Sequence, residues 1–357
     1  MEIDRRKVIY VSLTNGAGGA EQILLMAARV TNSQIIFLKE DTKYSLSLGG
    51  TTVKATYLNR KSLFNGFVLL LKALFPFRSG YIIISSHPYL NAYLGILKRV
   101  GYLRSLLVTR ESTSVFLRFK GLKRWTYRIS YWLGYPSIDL LICQTTEMKT
   151  QLVDSFSFLT NKKVIVLENP IDVATVMNRA DEDINDAIFE QPFICSAGRL
   201  IPLKGFDVLI KAFSLLSNEF PQHKLLILGD GAEKSKLQQL AADLGLGERI
   251  VLRGFVSNPF VYFKKAETCV VSSIREGFPN VLLQMMALNG KVVSTRCAGG
   301  IGDFNSVELV DVNNASHLAI AINRQLSKET GSENRNMIYL EQRAPKNFVN
   351  SVLSSIA

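Results

Sequence analysis

Two short stretches hold charged groups at spacings that would suit one phosphate-bearing ligand. In GRLIPLKG (198–205), Arg199 and Lys204 stand five residues apart in a loop after the apolar run FICSAG. A planar guanidinium fork and a mobile ammonium can together reach a diphosphate. In REGFPNVLLQ (275–284), Glu276 sits at the tip of the apolar run TCVVSS, just ahead of a helix expected to start near Pro279 or Asn280. Proline suits a first helical turn. The N–H groups expected at Asn280, Val281 and Leu282 would aim an anion-binding end outward. Gln284 follows in the second turn. Plainer readings stand beside these: loop cations are often only solvated, and Glu276 can simply complement the helix dipole.

Other stretches say less. NGAGGAE (15–21) follows the first apolar run and opens a helical pattern. Gly18 and Gly19 would let a ligand approach the backbone, but a flexible turn needs the same glycines. A dinucleotide fingerprint is excluded, because its third glycine would fall on Glu21. The run Asp181, Glu182, Asp183 follows no strand and reads as solvated charge. His87, His223 and His317 show no metal spacing, and the four cysteines form no CxxC pair, so no metal site is expected. His87 follows a strand and either faces a ligand or is a satisfied loop histidine. In FLRFKGLKRWTYRISYWLGY (116–135), Leu122, Trp125, Ile129 and Trp132 recur at helical spacing among Arg118, Lys120, Lys123, Arg124 and Arg128. That pattern fits a basic helix at a membrane interface, or a surface helix whose apolar side enters the core.

The elements that must carry these groups alternate in kind. VIYVSL, QIIFL, YIIISS, SLLVTR, DLLICQ and VIVLE read as buried strands, with helical patterns between most of them. The second half repeats this with FICSAG, KLLILG, RIVLRGFV, TCVVSS and KVVST. Near-continuous apolar strands alternating with helices predict α/β architecture with parallel sheets covered on both faces. Two doubly wound Rossmann-like domains are expected: 1–170, then 171–340, with 341–357 as a helix returning toward the first. ENPIDV (168–173) and the acidic stretch after it read as the connection. Ligands bind beyond the carboxyl ends of strands in such sheets. Two tandem domains would face each other across a cleft at those ends.

Composition narrows the classes. A chain of 357 residues with 47% apolar and 20% charged residues is expected to pack as globular domains rather than remain disordered. Residues 1–170 hold 23 Lys and Arg against 10 Asp and Glu, whereas 171–357 hold 19 against 20, so the whole net charge of +12 lies in the first half. Such asymmetry predicts an anionic surface or ligand for that half. The opening segment shows no signal-peptide pattern, and GFVLLLKALFPF is too short to span a bilayer. Widely spaced cysteines fit a reducing compartment, so a cytoplasmic protein, peripheral at the inner face of a membrane, is expected.

Taken in order, GGAE, ENPID, SAGRLIPLKG, LILGDG, RGFV, EGFPNVLLQMMA and AGG (298–300) resemble the retaining glycosyltransferases of family 4, with the GT-B fold, and within them transferases of bacterial surface glycans. The resemblance implies metal-independent transfer of a sugar from a nucleotide donor, UDP-linked, without a cofactor. Carried over by position, Arg199 and Lys204 would hold the donor diphosphate and Glu276 the donor sugar hydroxyls. The amides at Asn280, Val281 and Leu282 would support phosphate or sugar, and the backbone near Phe255 and Val256 the base. Gly18 and Gly19 would approach phosphate or acceptor. The implied acceptor is a polyprenyl-diphosphate-linked or other glycan, at an anionic membrane. Two positions depart from the family pattern. Gln284 stands where a second Glu is usual, and Arg110 with Glu111 where many relatives carry His. Arg110 would then face a phosphate or a sugar hydroxyl.

Rival readings are a non-catalytic nucleic-acid- or membrane-binding protein, an inactive scaffold of the same fold, and an NAD-dependent enzyme. The first would bind DNA or RNA with strong salt dependence, but no recognition-helix or RNA-platform signature is present, so no nucleic-acid partner is expected.

Overall fold

The computed structural model describes residues 7–42, 44–46, 53–328 and 337–356. The charged lead at 1–6 lies outside the described residues. Contacts divide the chain into a first unit, residues 1–170 with 343–357, and a second unit, residues 171–342.

The first unit runs β1 (Lys7–Thr14), α1 (Gly19–Val30), β2 (Gln34–Lys39), β3 (Ala55–Asn59), α2 (Leu63–Leu74), β4 (Tyr81–Ser85), α3 (Pro88–Arg99), β5 (Leu106–Arg110), α4 (Val115–Arg118), α5 (Gly121–Gly134), β6 (Leu140–Cys143), α6 (Thr146–Ser155) and β7 (Val164–Val166). Its sheet has the order β3-β2-β1-β4-β5-β6-β7, with parallel pairing throughout. Alternate strand residues feed opposite cores, as a pleat requires. Ile9, Val11, Ile83 and Leu107 enter a core with α2, α3, α5 and α6. Tyr10, Ile35, Ile82 and Val108 enter the other, with α1 and a late helix. Side-chain caps help set the helix starts: Ser62 accepts from Asn65 N, and Thr145 from Met148 N.

The second unit runs α7 (Val173–Ala180), β8 (Phe193–Ala197), α8 (Phe206–Leu216), β9 (Lys224–Leu228), α9 (Lys234–Asp243), β10 (Ile250–Gly254), α10 (Phe260–Lys265), β11 (Thr268–Val271), α11 (Asn280–Leu288), β12 (Val292–Thr295), β13 (Val307–Val310), α12 (Ala315–Leu326) and α13 (Met337–Gln342). The late helix of the first unit, α14 (Pro345–Ser354), follows. The second sheet has the order β10-β9-β8-β11-β12-β13, again parallel. One face packs on α8, α9 and α12, the other on α7, α10, α11 and α13.

Both sheets are doubly wound, as the alternation predicts. The strands not foreseen, β3 and β13, are edge strands. Every residue of β3 is only half-buried, and β13 holds one buried residue, Val307. An edge strand needs no continuous apolar run, so the pattern that marks central strands is missing there.

Candidate functional site

Strand order in the second unit reverses between β8 and β11, which are neighbours in the sheet. Such a switch point leaves a crevice beyond the strand ends, and the loops there hold Arg199, Lys204 and Glu276. After β8 the chain passes Gly198 and the exposed Arg199. It then makes a short turn at Pro202–Lys204 and reaches Gly205, at φ +61. That glycine is required twice over: a Cβ would collide with the carbonyl oxygen of Ser272, and the left-handed backbone disfavours any other residue. Ser272 Oγ donates to Lys204 O at 2.9 Å, and Ile274 N donates to Leu203 O at 2.8 Å. These two bonds stitch the β8 and β11 loops together.

On that frame Lys204 Nζ donates to Glu276 Oε1, and Ser273 Oγ donates to the same oxygen at 2.8 Å. Both side chains of the ion pair are 17% exposed. The backbone of Glu276 is fixed as well, its N–H donating to Cys297 O at 2.8 Å. Beside it, burial and the Glu276 charge push the Cys297 thiol up to about 12. Lys204 and Glu276, taken from sequence stretches 72 residues apart, thus meet at one point.

α11 begins at Asn280 with Pro279 ahead of it, where the sequence placed the helix start. Of the three amides expected there, that of Leu282 is already used, donating to Pro279 O at 3.0 Å. Its side chain lies in the core. Asn280 and Val281 form the first turn, and Gln284 is half-buried in the second. Phe255 and Val256 follow β10, Phe255 exposed and Val256 packed on the core. The run at 181–183 is engaged on the surface rather than merely solvated: Asp181 pairs with Lys264, and Glu182 with Arg179 and Asn258.

The first unit has its own switch point, between β1 and β4. Gly18 caps α1 after β1, but Glu21 folds back so that its carboxylate contacts the place a Gly18 Cβ would occupy. An acid therefore already lies beside these glycines. Arg110, at the end of β5, is 1% exposed. Its Nη1 donates to Ser86 Oγ at 3.1 Å and its Nη2 to Asn169 Oδ1. Two of its nitrogens are thus held by protein oxygens, while its buried Nε has no hydrogen-bond partner among the described residues. Burial lowers it to about 10, opposed by the charges of Glu111 and Glu21. Glu111 is also fully buried, accepting from Tyr131 Oη at 2.6 Å, from Tyr135 Oη and from Asn91 Nδ2 at 3.3 Å. His87, at the end of β4, caps α3 through its backbone. Its buried Nδ1 has no hydrogen-bond partner among the described residues.

Residues 178–343 match the family model described as glycosyl transferases group 1. A segment of 232 residues is 33% identical to the N-acetylgalactosamine-N,N'-diacetylbacillosaminyl-diphospho-undecaprenol 4-alpha-N-acetylgalactosaminyltransferase of Campylobacter jejuni, covering 63% of this chain and 62% of that protein. Another of 176 residues is 35% identical to an uncharacterized glycosyltransferase of Methanocaldococcus jannaschii, covering 48% and 43%. The match to these curated relatives thus spans less than two thirds of their length. Among solved structures, an alpha,alpha-trehalose-phosphate synthase (UDP-forming) from Burkholderia xenovorans, in complex with glucose-6-phosphate, superposes with a TM-score of 0.77 at 14% identity, over 98% of this chain and 100% of that one. Two doubly wound parallel units in tandem give the chain the GT-B fold of glycosyltransferases. The sequence likeness to glycosyl transferases group 1 lies in residues 178–343, which carry Arg199, Lys204 and Glu276.

Proposed function

We propose that the protein is a retaining glycosyltransferase of family 4. It would move a hexosyl or N-acetylhexosaminyl group from a UDP-linked donor to a polyprenyl-diphosphate-linked glycan, in surface-polysaccharide synthesis. The observation that carries this reading is the Lys204–Glu276 pair at the second unit's switch point, with Arg199 in the adjoining loop. The relative with an undecaprenol-diphosphate acceptor in its name supports the acceptor class, and the UDP-forming synthase supports the nucleotide.

In this scheme the bond between the anomeric carbon and the β-phosphate oxygen breaks, and the electron pair leaves with the diphosphate. Arg199, Lys204 and the first turn of α11 stabilise the charge as it grows, without a metal or other cofactor. Glu276 accepts hydrogen bonds from the sugar hydroxyls. The base rests against the backbone at Phe255 and Val256, and Gln284 offers its amide oxygen to the ribose. The acceptor hydroxyl forms the new bond on the face the diphosphate leaves, and its proton passes to the departing phosphate oxygen. Arg110, at the end of β5, offers a phosphate or sugar hydroxyl the N–H that protein oxygens leave unused.

Incubation with UDP-sugars and a short polyprenyl-diphosphate glycan tests the reading. Product should keep the donor's anomeric configuration by NMR. Arg199→Ala should lower kcat by about 100-fold, the usual cost of one charge-stabilising donor. Absence of UDP binding and of turnover with every donor, or strong salt-sensitive nucleic-acid binding instead, would overturn it.

A further inference from the structure

The helix layer on one face of the first sheet leaves large apolar groups uncovered. On α5 the residues that enter the core are Tyr127, Tyr131 and Gly134. The stripe read from the sequence points elsewhere: Leu122 is 77% exposed, Trp125 60% and Trp132 62%. The same happens on α2, where Phe64 is 76% and Val68 55% exposed. α3 lies between these helices, with Tyr93 Oη donating to Phe67 O of α2 at 2.9 Å and Tyr89 Oη within 2.9 Å of Thr126 Oγ1 of α5. All three pack on one side of the sheet, so their outer surfaces face the same way.

Charge selects the occupant. Between Asp41 and Asp139 the sequence has a single acidic residue, Glu111, and that one is fully buried. Lys61, Lys72, Arg99, Lys123, Arg124 and Arg128 are exposed on or beside these helices. A protein partner or a second copy of the chain would have to cover apolar groups fringed by like charges. An anionic bilayer meets both demands, taking indole and phenyl rings at its headgroup level and attracting the cations. Among the described residues no helix is long and apolar enough to cross a membrane, so contact is by this face.

We infer that α2 and α5 together form a docking face for an anionic lipid bilayer. The inference stands on this unit alone and is tested on nucleotide-free protein, so its failure leaves the transferase reading intact. The chain has two tryptophans, Trp125 and Trp132, so intrinsic fluorescence reports on α5 without a label. Vesicles of phosphatidylcholine with phosphatidylglycerol should shift the emission to the blue and co-sediment the protein, reversibly with salt. Pure phosphatidylcholine should do so far less. Replacing Lys123, Arg124 and Arg128 together by Glu should weaken binding about tenfold or more. Phe64→Ser with Val68→Ser should weaken it severalfold while the tryptophans are untouched. Binding indifferent to Phe64 and Val68 would remove α2 from the face. A spectrum unmoved by anionic vesicles, or tryptophans already shielded by a dimer in their absence, would overturn the proposal.

Discussion

Arg199, Lys204 and Glu276 were legible as residue types at strand ends, because a charge at the tip of a buried strand has little structural purpose. That Lys204 and Glu276 touch was not legible, since contact depends on which strands are neighbours. Arg110 shows the converse. Its place at the end of β5 is that of a ligand-facing residue, but it also bonds Ser86 and Asn169, and no local pattern announces partners so distant in sequence. His87 is a further case, left open by the sequence and now testable. Burial lowers its imidazole to about 4, from an ordinary value near 6.5. Between those values the unfolded chain binds the proton and the folded one does not, so stability falls as pH drops from about 6.5 toward 4 and is unaffected above. At 1.36 kcal/mol per unit the loss is at most about 3 kcal/mol. Denaturant unfolding from pH 7 to pH 4 should show a shallower decline for His87→Gln than for the parent chain. Parallel declines would mean that the ring protonates in the folded state.

At the scale of elements, the helix at 121–134 does pack on the core, but by another side than the stripe read from the sequence. Its burial follows Tyr127, Tyr131 and Gly134, one side of the helix, while the Trp125 and Trp132 side stays out. The sequence shows two apolar stripes, and tyrosine, being amphipathic, is the harder one to assign to a core. What selects it is Glu111, which accepts from the hydroxyl of Tyr131 and from that of Tyr135 just past the helix. Close helix approach makes that possible. A Cβ on Gly95 of α3 would strike the carbonyl of Gly134, and one on Gly134 would strike Ala92. Backbone cannot yield as a side-chain tip does, so Gly134→Ala must push α3 and α5 apart, at a cost of about 1–3 kcal/mol. The displacement would also loosen Tyr131 and Tyr135 on the Glu111 carboxylate. Thermal unfolding should start about 2–10 °C lower in this variant, with a larger near-UV change than an exposed substitution such as Leu122→Ala gives. Equal transition temperatures for Gly134→Ala and the parent would mean that the helices are not in register as described.

For the molecule as a whole, the chain crosses between its units twice, and the last crossing carries structural weight. Residues 343–357 belong with the first unit. There Phe348, Val349 and Val352 of α14 are buried with Ile23, Leu24 and Ala27 of α1. Arg343 is tied to Glu168 at 2.5 Å, joining the two points where the chain leaves and re-enters this unit. Removing residues 343–357 takes three buried apolar side chains from the core, worth about 1.5–3 kcal/mol each. Their sum is comparable to the whole stability of an ordinary domain, so the first unit should be unfolded or nearly so in the truncated chain. Arg199, Lys204, Glu276 and the sheet that holds them keep all their own contacts. Calorimetry of the truncated chain should therefore show one transition lowered or lost and another retained, and UDP should raise the retained one, because a ligand that binds only a folded unit stabilises it. A single transition that moves as one, or two that stay where they were, would show that the units do not fold as the contacts divide them.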